Sequence, residues 1–425
     1  MNLKENIRIA ADHLFGRSVR GHYWAADQAR RRWAMLRENK NQVFAGVVTS
    51  DFSRFLFARI RPETDGTVSR ARAAVDWILR AQAANSDGGV SLGYFPCDVE
   101  NGWRVSYPET TGYIITSLLE FSRQYDDASA AQQALRMANW EADIQMRDGA
   151  VQGGPVCAVD KRTPCAFNTG MVLDGWVSAW RFSANARFLD SARRAGDWLV
   201  NDLTAQGYFK TNGQFVEPGE IKTYNVLCAW ALYRLGAQIP AGPYQKAAVR
   251  IVEAALRQQQ SNGWFANNCL TRPEAPLLHT IAYTLQGILE VGLASGRPEF
   301  VFASKRAVDA MLPKMSSRGF IAGRFFSDWT PACFSSCLTG AAQLAIVCYR
   351  LFEHTGERRY FDAGELLVNY LKPLQLLNSR NDALNGALPG SFPLFGGYMT
   401  AGYPNWATKY LLDALMLQDR LGRHE

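Results

Sequence analysis

No stretch of this chain stays apolar and uncharged for the length of a bilayer crossing. Its first residues, MNLKENIRIAADHLFGRSVR, lack the apolar run followed by small residues that marks a leader. A cytoplasmic protein is the expectation. Histidine is scarce, at five in 425 residues. The eight cysteines stand apart at Cys97, Cys157, Cys165, Cys228, Cys269, Cys333, Cys337 and Cys348, with no C-x-x-C pair. That spacing fits neither a structural zinc site nor a small disulfide scaffold, so the thiols read as reduced, buried small hydrophobes and no metal is expected. Phosphate-cradling glycine patterns are missing as well, and no cofactor is expected. Nucleic-acid-binding signatures are absent, and the basic residues are scattered apart from Arg30, Arg31 and Arg32. The net charge of +7 therefore favours an acidic partner but gives no reason to invoke nucleic acid.

What the chain does have is apolar bulk and a repeat. It is 48% hydrophobic and 12% aromatic, enough for a large core. A unit of helix, short turn, helix and glycine-aromatic loop recurs every 55 to 60 residues or so. The loops read SDGGVSLGYF, RDGAVQGG, AQGYF, SNGWF, SRGFIAGRF and NGALPGSFPLFGGY. Each is followed by a segment apolar around most of its circumference: TTGYIITSLLEFS, NTGMVLDGWVSAW, TYNVLCAWALYRL, HTIAYTLQGILEV, CLTGAAQLAIVCYRL and NWATKYLLDALML. These suit an inner ring of helices buried on several sides. Segments such as VSRARAAVDWILRAQ and ARFLDSARRAGDWLVND keep a charged face and suit an outer ring. The first outer segment lacks an inner helix before it and the last inner segment lacks an outer helix after it. Six pairs form only if the two ends meet, which predicts an all-α, closed (α/α)6 toroid over residues 63–425.

Residues 1–62 fall outside the repeat and read as an N-terminal helical extension. There Trp24, Trp33, Phe52, Phe55 and Phe57 are interspersed with arginines. Packing on the outside of the ring is one reading; peripheral contact with a membrane or a membrane enzyme through residues 17–60 is the other.

The paired helices and glycine-aromatic loops resemble the six-hairpin toroids of carbohydrate-active proteins: polysaccharide lyases, glucuronyl C5-epimerases and glycoside hydrolases. PLLHTIAYTLQG, CLTGAAQLAI and YPNWATKYLLDAL are similar to segments of a group associated with bacterial polysaccharide biosynthesis. The resemblance spans roughly residues 67 to 420 and implies an oligo- or polysaccharide partner. Terpene cyclases build related toroids, but the Asp-rich motif or zinc ligands that reading requires are absent.

In such a ring the cavity entrance is expected among the loops and the N-terminal ends of the inner helices. Polar residues gather there: Tyr107 and Glu109; Asn168; Tyr224 and Asn225; His279 and Tyr283; Trp406 and Lys409. Ser, Thr and Asn at such positions also cap helices. His279 and Tyr283, spaced i and i+4, share a helix face and suit a base and an acid. In a uronate lyase or epimerase, a base takes the C5 proton while a neutralised carboxylate makes that proton more acidic; Arg104, Arg324 or Asn168 are candidates for the carboxylate contact. Hydrolysis would instead need two carboxyl groups. Glu109 is the best acid for it, with Glu220 or Asp328 as partner. Trp329, Tyr398, Tyr403 and Trp406 are further candidates for covering sugar faces. A glycan-binding protein without chemistry is the reading from outside enzymology.

Overall fold

Twelve long helices carry the described part of the chain, which comprises residues 51, 53–56, 60–96, 102–213, 216–217, 219–270 and 272–423 of a computed structural model. The outer helices are α1 (Thr67–Ala83), α3 (Ala128–Ile144), α5 (Ala186–Asp202), α7 (Tyr244–Leu256), α9 (Pro298–Met311) and α11 (Arg358–Leu371). The inner helices are α2 (Pro108–Tyr125), α4 (Ala166–Ser183), α6 (Leu227–Gln238), α8 (Leu278–Ser295), α10 (Leu338–Thr355) and α12 (Asn405–Gly422). They alternate as the repeat predicts, and the result is an (α/α)6 toroid.

Each hairpin loop carries a glycine with positive φ that seats against the next outer helix. Gly149, Gly207, Gly263 and Gly319 hold equivalent places, and Gly386 closes the series on α1. A side chain at Gly319 (φ 84°) would overlap the Leu366 carbonyl, and one at Gly386 (φ 91°) would overlap that of Ala73. Closure of the ring is secured there. Trp77 Nε1 donates to the Ala383 carbonyl at 2.8 Å, Gln375 Nε2 to Arg70 O at 3.0 Å, and Thr67 Oγ1 to Gln418 Oε1 at 3.1 Å.

Threonines near the starts of inner helices tie the loops down. Thr111, Thr169 and Thr408 accept the backbone N–H groups of Val90, Val151 and Leu388 at 2.9 to 3.0 Å. The long sixth loop crosses the N-terminal end of the ring and is stitched on both sides. Strand β3 (Ser391–Phe392) pairs with β2 (Ser336–Cys337), and β4 (Tyr403–Pro404) pairs with β1 (Gly93–Tyr94), both antiparallel.

Most of the proposed 1–62 extension lies outside the described residues, including Trp24, Trp33, Phe52 and Phe57. Phe55 is buried among Phe320, Phe334 and Phe392, and so is not a side chain available to lipid. Among the described residues no helix is long and apolar enough to cross a membrane. The described cysteines are free, and Cys97 lies outside the described residues.

Candidate functional site

Five of the six inner helices are 18 residues long and run in register, so equal offsets from their starts form tiers down the ring. Their second residues are Glu109, Phe167, His279, Thr339 and Trp406, joined by Tyr224 from the 3-10 turn ahead of α6. One turn deeper stand Tyr113, Met171, Tyr283, Gln343 and Tyr410.

The first two tiers form an aromatic cluster around one carboxyl group. The Tyr107 hydroxyl donates to Glu109 Oε2 at 2.8 Å. The Glu109 charge acts on Tyr113, Tyr224, Tyr283, Tyr398 and Tyr410 as well, which places it at the centre of the cluster. Burial pushes the Glu109 carboxyl up to about 7, against the pull of the Tyr107 hydrogen bond. Tyr107, Glu109 and Tyr398 nevertheless keep partial exposure.

His279 projects from α8, the inner helix opposite α2 in ring order. Its ring lies 4.3 Å from that of Tyr283 and 5.5 Å from that of Tyr398. Burial drives its pKa down to about 4, opposed by the 2.6 Å bond between Nδ1 and Gln343 Oε1. The imidazole is therefore neutral at pH 7. With the Gln343 oxygen facing it, Nδ1 carries the proton and Nε2 is left as acceptor or base. Burial holds the Tyr283 phenol well above its ordinary range, so it stays protonated, and its hydroxyl has no well-aligned partner among the described residues. Trp406 Nε1 donates to the Tyr398 hydroxyl at 2.7 Å, and Phe167 bridges Tyr224 and Tyr283 at 5.3 and 5.0 Å.

Lys409 is the cation whose charge reaches His279. Burial is the largest influence and works against its own charge, but Asp413 at 2.7 Å, Tyr410 and Asp174 together outweigh it and raise its pKa.

The structure thus brings together Tyr107, Glu109, Tyr224, His279, Tyr283, Tyr398, Trp406 and Lys409. It places the remaining candidates in supporting roles. Asn168 donates to the Gln152 carbonyl at 2.9 Å and Asn225 to Asn212 at 2.6 Å. Arg104 stacks on Phe95, 4.2 Å from the ring centroid, and Arg324 is buried with its guanidinium on the Ala275 carbonyl at 2.6 Å. Asp328 lies exposed in a turn, bonded to Thr330, and Trp329 is wedged edge-on against Trp264 at 5.2 Å. Tyr403 is buried in β4. Glu220, the other proposed partner carboxyl, is paired with Lys222 at 3.0 Å.

A cavity of about 800 Å³, which sequence reasoning did not anticipate, opens among the C-terminal halves of the inner helices, on the side away from the stitched loops. Tyr113, Lys409 and Tyr410 belong both to its lining and to the surroundings of the aromatic cluster. Beyond them come Thr116, Asp174, Gln286 and Asp413, then Glu120, Glu290 and Arg350. Sequence reasoning missed these residues, although single charges at matched offsets in otherwise apolar helices are a signal. The carboxyl of Glu120 is accessible from the cavity yet surrounded by protein. Loss of hydration, and then the Asp413 charge, raise its pKa. Asp174 is tied to Arg234 and accepts from Thr116 at 2.9 Å. Among the described residues no three His, Cys, Asp or Glu side chains gather as a metal site would need.

No protein-family model matches the chain, and comparison with curated proteins finds no significant relative. Solved structures do match in fold. An unsaturated glucuronyl hydrolase from Bacillus sp. GL1 superposes with a TM-score of 0.67 at 16% identity, covering 84% of this chain and 97% of that one. A cellobiose 2-epimerase from Bacillus thermoamylovorans gives 0.63 at 11% identity, over 82% and 98% of the two chains. A D-mannose isomerase gives 0.67 at 10% identity, over 84% and 97%. The chain shares the (α/α)6 toroid of these carbohydrate-active enzymes.

Proposed function

We propose that the chain is a carbohydrate-active enzyme of bacterial surface polysaccharide metabolism that moves a proton on a uronate-containing glycan. Glu109 and His279 act as its acid and base. The observation that carries this reading is a carboxyl group with pKa about 7 and a neutral imidazole, contributed to one aromatic cluster by opposite inner helices. A carboxyl poised near the working pH and an imidazole already neutral there, on opposite helices, suit proton removal from one face and return to the other.

In the proposed reaction, Nε2 of His279 takes the C5 proton and the electron pair of the C5–H bond moves into the uronate carboxylate, whose charge Lys409 offsets. Protonated Glu109 then delivers a proton to the opposite face, giving the epimer. In the elimination variant the electron pair forms the C4–C5 double bond, and the C4 oxygen leaves with the proton of Tyr283. The comparison structures support the substrate class, being described as a glucuronyl hydrolase, an epimerase and an isomerase of sugars.

Hydrolysis is the second reading, favoured by the carboxyl groups of Glu120, Asp174 and Asp413 in the open cavity.

Incubating the full chain with uronate and neutral oligosaccharides in heavy water separates the readings. Deuterium incorporation without cleavage, or new absorbance near ~232 nm from an unsaturated uronate, is expected; both should vanish in His279→Ala, and formation of the epimer should vanish in Glu109→Gln. Cleavage without either signal would replace this mechanism with hydrolysis. Turnover that survives in both Glu109→Gln and His279→Ala would remove the aromatic cluster from the chemistry.

A further inference from the structure

The cavity at the C-terminal end of the ring has a chemical gradient that the aromatic cluster does not use. In its depth, two turns into the inner helices, Asp413 and Gln286 line the wall, and each keeps one buried oxygen, Oδ1 and Oε1, without a donor among the described residues. Acceptors left bare inside a protein call for a ligand that carries hydroxyl or N–H groups. At the mouth the chemistry reverses. Arg123, Arg181 and Arg420 occupy the same offset near the ends of α2, α4 and α12, which are neighbours in the ring, and so form an arc of cations on one sector. Arg123 rests on Phe182 at 5.2 Å, and neither it nor Arg181 has a carboxylate partner among the described residues. Seven residues separate Asp413 from Arg420 along α12, about 10 Å of depth at helical rise. Trp230 also lines the wall.

A ligand that satisfies both levels is polyhydroxylated at one end and anionic at the other. We propose that this cavity is a binding site for an acidic oligosaccharide, whose hydroxyls Asp413 and Gln286 receive in its depth and whose carboxylate the Arg123 and Arg181 arc receives at its mouth. The volume of about 800 Å³ falls within the range of ordinary ligand clefts. The site stands on the face opposite the stitched loops, and the inference does not depend on the proton-transfer chemistry.

Isothermal titration of the full chain with glucuronyl-maltose, a trisaccharide with one terminal uronate, and with neutral maltotriose tests it. Glucuronyl-maltose should bind, and more weakly as salt rises from about 50 to about 500 mM, since the arginines are exposed. Arg123→Ala and Arg181→Ala should each weaken it about tenfold, the effect of losing one charge-assisted contact. Neither surface change should disturb the fold, which a thermal melt checks. Gln286→Leu should weaken both sugars, while Glu109→Gln should stop turnover and leave binding intact. Absence of heat with glucuronyl-maltose, equal affinity for maltotriose, or unchanged affinity in the arginine variants would overturn the assignment. Binding lost in Glu109→Gln but kept in the arginine variants would move the ligand to the aromatic cluster.

Discussion

Replacing Glu109 by Gln should slow the proposed reaction and stabilise the protein at once, with a pH signature that ties both effects to one carboxyl. Folding lifts this group from an ordinary 4.5 to about 7. Its folded pKa is the higher one, so wild-type stability is intact below pH 4.5 and is lost as pH rises through 7. The slope is about 1.4 kcal/mol per pH unit inside that window. Summed over the shift, the loss reaches about 3 kcal/mol at pH 8, an upper figure because the side chain keeps some contact with solvent. Glutamine does not titrate, so Glu109→Gln should exceed wild type by under about 1 kcal/mol near pH 5 and by about 3 kcal/mol at pH 8. His279 contributes the opposite slope. Its folded pKa, about 4 against an ordinary 6.5, is the lower one, so its contribution is present above pH 6.5 and lost as pH falls through 4. Between pH 4.5 and 6.5 the two trends oppose each other in the wild type, and the variant should expose the His279 rise alone. Urea melts of both proteins across pH 4 to 8 measure this, and turnover should fall by about 10² to 10⁴. A stability difference that does not change with pH would refute the placement of Glu109 in a desolvated centre.

Two further predictions probe neighbouring groups. Tyr283→Phe removes a buried hydroxyl that has no well-aligned partner among the described residues. It should leave the melting temperature unchanged or slightly raised while lowering turnover about 10²-fold, read from melts and rates on one preparation. Glu141 on α3 is fully buried, both its carboxyl oxygens lack a partner among the described residues, and burial, then the Asp87 charge, holds its pKa well above the ordinary range. Wild-type stability should therefore be intact below the unfolded carboxyl pKa and fall as pH rises. Glu141→Met should gain about 1 to 3 kcal/mol at pH 8 and less at pH 4, measured by urea melts.

Why was the ring legible in the sequence when its opening was not? Closure follows from counting, because an unpaired outer helix at one end and an unpaired inner helix at the other must meet or leave apolar faces bare. Gly386 against α1 is the physical form of that count. The cluster of Glu109, His279, Tyr283 and Trp406 was also within reach, since the apolar segments begin just before these residues and equal offsets from a helix start share a level. The depth of each level was not. What covers the N-terminal end depends on where a long loop travels, and the pairing of β4 with β1 and of β3 with β2 brings together residues some 310 and 55 positions apart. No local pattern reports such pairing. The same blindness hid the cavity residues. Asp174, Arg234, Glu290 and Arg350 interrupt helices that otherwise read as core, and a buried ion pair that stiffens a bundle looks the same in sequence as a charge that faces a ligand. Only the position in space separates the two: Thr116, Asp174, Gln286, Ile346 and Asp413 stand at one common distance from their helix starts and share one level of the cavity wall, while Glu290 and Arg350, equally matched in offset, are an ion pair at 2.8 Å.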